Sequence, residues 1–128
     1  MQDFLFVKLD KKFSKIAFSE ILWAEAEKKY VRIVTTKRTY LILASIGSVE
    51  KILPFTQFCR IHRSYIVSLI HTTDFDNELV YIGNKIFPIG KQHRAILQER
   101  VIILTSEMRS DSQEKFNSSG NIETNFSD

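Results

Sequence analysis

The chain has one cysteine, two prolines and four glycines in 128 residues. A single thiol, Cys59, can form neither an internal disulfide nor a cysteine-based zinc site, which fits a reducing, cytoplasmic setting. Flanked by Phe58 and Arg60 in an apolar run, Cys59 reads as a buried structural thiol rather than a redox sensor. So little glycine and proline excludes a fibrous or wholly disordered chain. Long apolar runs are missing as well. No stretch approaches the roughly 20 residues that cross a bilayer. The first nine residues, interrupted by Asp3 and Lys8, do not make a signal peptide. The sequence predicts a soluble protein without membrane association.

Reaction chemistry is equally thin. His62, His71 and His93 have no HxxxH or HxH spacing, so no metal site is marked. Ser64 stands near His62, with Asp74 further along, but there is no G-x-S-x-G elbow. Sequence proximity does not make a catalytic triad; geometry does. Neither G-x-x-x-x-G-K-S/T nor G-x-G-x-x-G occurs, and the pair Gly90-Lys91 does not cradle phosphate by itself. Asp74, Asp76 and Glu78 alternate along one face but lack the partners and spacing of a calcium loop. A solvated acidic strand edge, which blocks edge-to-edge aggregation, is the simpler reading. The expectation is a module that is not an enzyme and holds no metal or cofactor.

What the chain does have is aromatic and basic. Ten phenylalanines point to an aromatic core. A single domain of this length buries about 65% of its unfolded surface and needs no staples. Charge is unevenly spread. From Thr105 onward there are two basic and five acidic residues, a net of −3, against a net of +6 for residues 1–104. A basic domain suits a polyanion such as nucleic acid, although charge alone is equally compatible with solubility. Residues 105–128 carry Met108, Phe116, Ile122 and Phe126 as their only bulky apolar side chains, too few to offset ordering entropy. They are expected to be a disordered acidic polar tail behind a domain at 1–104.

Within that domain, short alternating or β-branched runs recur about every ten residues. Strands are predicted at 4–9, 13–18, 21–25, 30–35, 39–44, 58–62, 65–69, 79–82 and 85–89, with Gly83-Asn84 as a strong hairpin turn. Ser45 is placed to cap a helix with Ile46, Val49, Ile52 and Leu53 on one face, stopped by Pro54. A second helix is predicted over 91–100, and residues 101–104 as a returning strand. The fold class expected is mainly β, a sandwich or barrel rather than alternating βα units.

Basic and polar residues gather at strand ends. Lys28 and Lys29 stand beside Tyr30. Arg60, His62, Arg63 and Ser64 crowd one break. Lys91, Gln92, His93 and Arg94 open the second predicted helix. Cations weaken a helix start unless an external anion offsets them. Each cluster alone is an ordinary solvated loop. Three together in a domain otherwise short of polar chemistry favour a nucleic-acid surface.

The stretch Phe58-Cys-Arg-Ile-His-Arg-Ser-Tyr-Ile-Val-Ser-Leu69 resembles the signature of the LytTR family of bacterial DNA-binding domains, F-x-R-I/V-H-R-S-Y/F-I/L/V-V-N. Ile21-Leu-Trp-Ala-Glu-Ala26 followed by Tyr30-Val31 resembles the family's I-L-Y-I-E-A…Y-V segment. Phe87-Pro-Ile-Gly-Lys91 resembles its I-P-I/V-S/G-R/K segment. The match covers about residues 4–104. The resemblance implies an elongated stack of small antiparallel sheets with one or two short helices. It also implies sequence-specific binding of double-stranded DNA for transcription regulation, by loops that enter successive major grooves at tandem or paired sites. Members are usually the output domains of response regulators in two-component systems; some stand alone. This chain has no room for a receiver, so it is a stand-alone regulator or an excerpt of a longer one, and the initial Met favours a real start. A sensor histidine kinase upstream is expected if it is an excerpt, and a homodimer is expected on DNA.

The residues that carry over are Lys29 and Tyr30 from the first loop, Arg63 after the motif histidine, and Lys91 after P-I-G. Arg63 suits the paired acceptors of guanine. Lys91 and Arg94 suit phosphate and reach toward bases. His62 and Ser64 are expected at the loop, either touching DNA or positioning it, and His93 completes the candidate set. Ser68 replaces the usual Asn, which puts local hydrogen bonding in question, and Ala24 replaces a bulky apolar residue. A protein-interaction module using strand edges and the tail is the alternative from another class. RNA binding lacks the K/R-G-F/Y-G/A-F-V-x-F/Y aromatic platform.

Overall fold

Period-two alternation sets the architecture. The computed structural model describes residues 2–106, and the tail expected from Thr105 falls, beyond Ser106, outside the described residues. Strands β1 (Phe4–Leu9) and β2 (Lys12–Ala17) form a hairpin in strict register, Val7 opposite Ser14. A 3-10 turn at Phe18–Glu20 leads into β3 (Ile21–Glu27), β4 (Tyr30–Thr35) and β5 (Thr39–Leu43). Then come α1 (Ile46–Ile52), β6 (Phe58–His62) and β7 (Tyr65–Ser68). The two-residue β8 (Asp74–Phe75), β9 (Leu79–Ile82) and β10 (Lys85–Pro88) follow. A 3-10 turn at Lys91–His93 precedes α2 (Ile96–Arg100).

The strands make three small antiparallel sheets: β1-β2, β5-β4-β3-β7-β6 and β10-β9-β8. The central five-stranded sheet is covered on one face along β3, β4, β6 and β7 and on the other only around β3, β7 and β6, leaving Tyr30, Leu41 and Leu43 exposed. On one, Ala24, Val31, Ile33, Phe58 and Ile66 meet Val7 and Ile16 of the hairpin and Ile46, Val49 and Leu53 of the α1 region. On the other, Cys59, Ile61 and Val67 meet Val80, Ile82, Phe87, Ile89 and Leu97. Alternate residues of β6 and β7 therefore feed different cores, which is why that segment reads as an almost unbroken apolar run. Cys59 is 1% exposed, and burial pushes its thiol pKa up, as expected of a structural thiol.

The predicted elements appear with two corrections. Ser45 caps α1, its Oγ accepting from Ser48 N–H at 3.1 Å, and Leu53-Pro54 ends it. The helix predicted over 91–100 is instead two pieces: a 3-10 turn, then extended Arg94, then Ala95 at φ 68°, then α2. Ile96 and Leu97 are the only large apolar residues in that span, so its first half has no stripe to bury and nothing holds it helical. Residues 101–104 do not return as a strand; Ile102 and Leu104 are fully exposed. A β-branched run pairs only where an edge accepts it, and α2 packs on the neighbouring β6, with Arg100 Nη2 donating to Phe58 O at 2.6 Å. The segment read from sequence as a solvated acidic edge contains β8. It is an edge, with Asp74 exposed, and it pairs with β9. Asp76 Oδ1 accepts from the N–H groups of Glu78 and Leu79, both at 2.8 Å, starting β9 and lowering the Asp76 carboxyl pKa.

The two departures from the family signature are accommodated. Ala24 is fully buried at the centre of the sheet, where neighbouring strands leave room for a methyl. Ser68 is 1% exposed and its Oγ accepts from His71 N–H at 3.4 Å, while its carbonyl takes the Thr72 hydroxyl at 2.7 Å. The local turn is thus held by a hydroxyl.

Candidate nucleic-acid interface

Topology brings the three basic clusters to one end of the central sheet. β3 and β4 are joined by Lys28-Lys29, with Glu27 opposite Tyr30, and Lys28 takes φ 59°. Both lysines and Tyr30 are exposed. Tyr30 faces Leu43 across the ladder, and Lys29 O accepts from Ala44 N–H at 3.3 Å, so α1 starts beside this turn. The nearby carboxylates Glu25 and Glu27 are engaged by Arg32, the first at 3.8 Å, and Glu25 also accepts from Trp23 Nε1 at 2.8 Å.

The second cluster is the turn between β6 and β7, Arg63-Ser64, closed by His62 opposite Tyr65. Because β7 runs antiparallel to β3, this turn abuts the end of β3, and Ser64 O accepts from Ala26 N–H at 2.9 Å. His62 Nδ1 accepts from Ser64 N–H at 3.0 Å. The His62 imidazole pKa lies below its ordinary value, first from burial and then from Arg63, His93 and Arg60. A neutral ring that accepts at Nδ1 carries its proton on Nε2. The ring packs tilted against Tyr65 at 5.2 Å, Tyr65 edge-on against Phe87 at 5.3 Å, and Phe87 tilted against Trp23 at 4.9 Å, an aromatic row that seats the turn on the second core.

The third cluster is docked by its backbone. Ile89 N–H donates to Glu78 O and Gly90 N–H to Ile61 O, each at 2.8 Å. The 3-10 turn closes with His93 N–H to Gly90 O at 2.8 Å. A Cβ on Gly90 would sit 3.3 Å from His93 Nδ1 and 3.7 Å from His62, so glycine permits the close approach of the two histidines. His62, Arg63, Gly90, Lys91, Gln92 and His93 line a shallow cleft of about 280 Å³. His93 Nδ1 is buried there with no partner among the described residues.

Of the eight candidate residues, His62, Arg63, Ser64, Lys91 and His93 thus lie together. Lys29 and Tyr30 sit on the adjoining turn. Arg94 points elsewhere, pairing with Glu78 at 3.5 Å. His71 is outside the group, bonded to Ser19 O at 2.7 Å. Among the described residues, Lys28, Lys29, Arg63 and Lys91 have no ion-pair partner. Sequence reasoning missed Glu50 and the role of Arg60. Arg60 stands in the motif's F-x-R, but the ten-residue separation from Glu50 gives no local signal.

These features define a mostly-β domain with a cationic end built from loops. The family model described as the LytTr DNA-binding domain matches residues 11–102. The chain belongs to the LytTR family of DNA-binding domains. Among solved structures it resembles a chain described as the LytTr DNA-binding domain of a methyl-accepting/DNA response regulator from Bacillus cereus. The TM-score is 0.66 at 21% identity, covering 77% of this chain and 96% of that one, a likeness of fold. Comparison with curated proteins gave no match.

Proposed function

We propose that the chain binds double-stranded DNA in a sequence-specific way and regulates transcription, as the output module of a bacterial two-component or stand-alone regulator. The observation that carries this reading is the convergence of three basic segments, tied by the Ala26–Ser64 and Gly90–Ile61 backbone bonds, at one end of a LytTR-family domain. Arg63 reads a guanine edge with its forked donors. Lys29 and Tyr30 enter the next groove segment. Lys91 and His93 meet the backbone or a base edge beside Arg63, and Arg94 reaches phosphate when it leaves Glu78. His62 and Ser64 hold the turn and lie against the DNA.

Residues 1–104 act as the DNA-binding domain, with 105–128 as a separate acidic tail. One domain spans a short site, so selectivity in a genome comes from two copies on tandem or paired sites, as a homodimer on DNA. The chain works in the cytoplasm, and where it is part of a longer regulator a sensor histidine kinase acts upstream. No helix among the described residues is long and apolar enough to cross a membrane. Selection from random duplex DNA tests the reading. An enriched motif bound with strong salt dependence is expected. Weak binding with no enriched motif would overturn it.

A further inference from the structure

The turn that carries Arg63 is held through four backbone groups, the carbonyls of His62, Arg63 and Ser64 and the Ser64 N–H. The register shifts between Arg60 and His62, and such a bulge takes carbonyls out of the ladder. Buried or half-buried carbonyls then need other donors. Arg60 supplies them: its Nε donates to His62 O at 2.8 Å and its Nη2 to Arg63 O at 2.7 Å. Its remaining guanidinium nitrogen, Nη1, donates to Glu50 on α1 at 2.8 Å. Ser64 N–H goes to His62 and Ser64 O to Ala26, as above. The Arg63 side chain is exposed and has no ion-pair partner among the described residues.

Arg60 itself is 21% exposed, and all three of its guanidinium nitrogens are committed within the protein. That is not the state of a phosphate-binding arginine. A fork of fixed planar geometry can span two carbonyls and a carboxylate; a lysine ammonium on a flexible stem cannot hold the same three directions. α1 also begins beside the Lys28-Lys29 turn, through Ser45 and the Ala44–Lys29 bond, so Glu50 relates the second loop to the first.

We propose that Arg60, held by Glu50, is a positioning residue for DNA reading. It fixes the His62 and Arg63 carbonyls so that the Arg63 side chain leaves the sheet in one direction, and neither Arg60 nor Glu50 touches DNA. This rests on the reading of Arg63 as a base contact.

The test uses the full chain, its selected duplex and a scrambled duplex of equal length, each at several salt concentrations. Arg60→Lys keeps the net charge and breaks the fork. It is expected to weaken selected-duplex binding about tenfold, the scale of one lost base contact. Scrambled-duplex binding and the salt slope should stay at wild-type values, because no phosphate contact is lost. Glu50→Gln, on the half-exposed side of α1, should move the same ratio in the same direction by less and does not endanger folding. In the free protein, Glu50→Gln should shift the amide resonances of His62, Arg63 and Ser64.

Equal losses on both duplexes with a flatter salt slope would overturn the proposal, making Arg60 a phosphate contact. So would unchanged selected-duplex affinity in Arg60→Lys while Arg63→Ala loses it; that pattern leaves the DNA-reading assignment standing. A wild-type chain that binds no duplex selectively would overturn both, even if the amide shifts appear.

Discussion

Ala26 donates its N–H to the carbonyl of Ser64 at 2.9 Å, so the turn bearing Arg63 is the last rung of the ladder between β3 and β7. A side chain on such a rung inherits the rigidity of the central sheet. Replacing it changes contacts with a partner without changing its mount.

Arg63→Ala is therefore expected to cost about 1–3 kcal/mol of binding to the selected duplex and to relax preference at one base position. Titration against the selected sequence and its single-base variants measures both. Full affinity and unchanged preference would remove Arg63 from the reading surface. Thermal stability should be unchanged, since the side chain is exposed.

Lys91→Ala should behave differently. Lys91 follows Gly90 on a segment pinned to Ile61, beside the same cleft. A phosphate contact carries no sequence information, so selected and scrambled duplexes should weaken together. The slope of log affinity against log salt should fall by about one. A loss confined to the selected duplex would make Lys91 a base contact instead.

His62 gives a pH signature. Its pKa is lowered in the folded state by burial and the neighbouring cations, so the unfolded chain binds the proton more readily. The stability it contributes is then fully present above the ordinary histidine value, near pH 6.5. It is lost as pH falls below that value toward the folded pKa. Protonation also removes the acceptor that Ser64 N–H uses. Melting temperatures should fall between about pH 7 and pH 5 more steeply in the wild type than in His62→Ala. Parallel curves would show that His62 is not the titrating group.

Leu97→Ala tests the seat of the third basic segment. Leu97 is 2% exposed in the second core and is the one fully buried residue of α2. Truncation should cost about 2–5 kcal/mol in denaturant unfolding. A cost under about 1 kcal/mol would mean that α2 is a surface appendage rather than part of that core.

Much of the fold could be read from the sequence because strands bury alternate residues. Val31, Ile33 and Thr35 form one face of β4, and the Gly83-Asn84 turn fixes the hairpin of β9 and β10. What escaped depends on tertiary partners. Whether residues 101–104 become a strand is decided by α2 occupying the β6 flank. Lys91 and His93 belong to a 3-10 turn because Gly90 is bonded to Ile61, a residue 29 positions earlier. The motif segments marked Arg63 and Lys91 as candidates, and the fold brings both to one cleft. The Glu50–Arg60 pair was not marked, because its meaning lies in two carbonyls, of His62 and Arg63, that Arg60 reaches only in the folded turn.

The segments at the cationic end are joined to the frame by main-chain bonds: Ala26 to Ser64, Gly90 to Ile61, Ala44 to Lys29. Main-chain bonds do not depend on residue identity, proline aside. Substitutions at 29, 63 and 91 are thereby expected to leave folding intact, so that the same scaffold carries another set of side chains there and still assembles. Recognition could diversify by point substitution, or be reprogrammed by design, over a frame that stays constant.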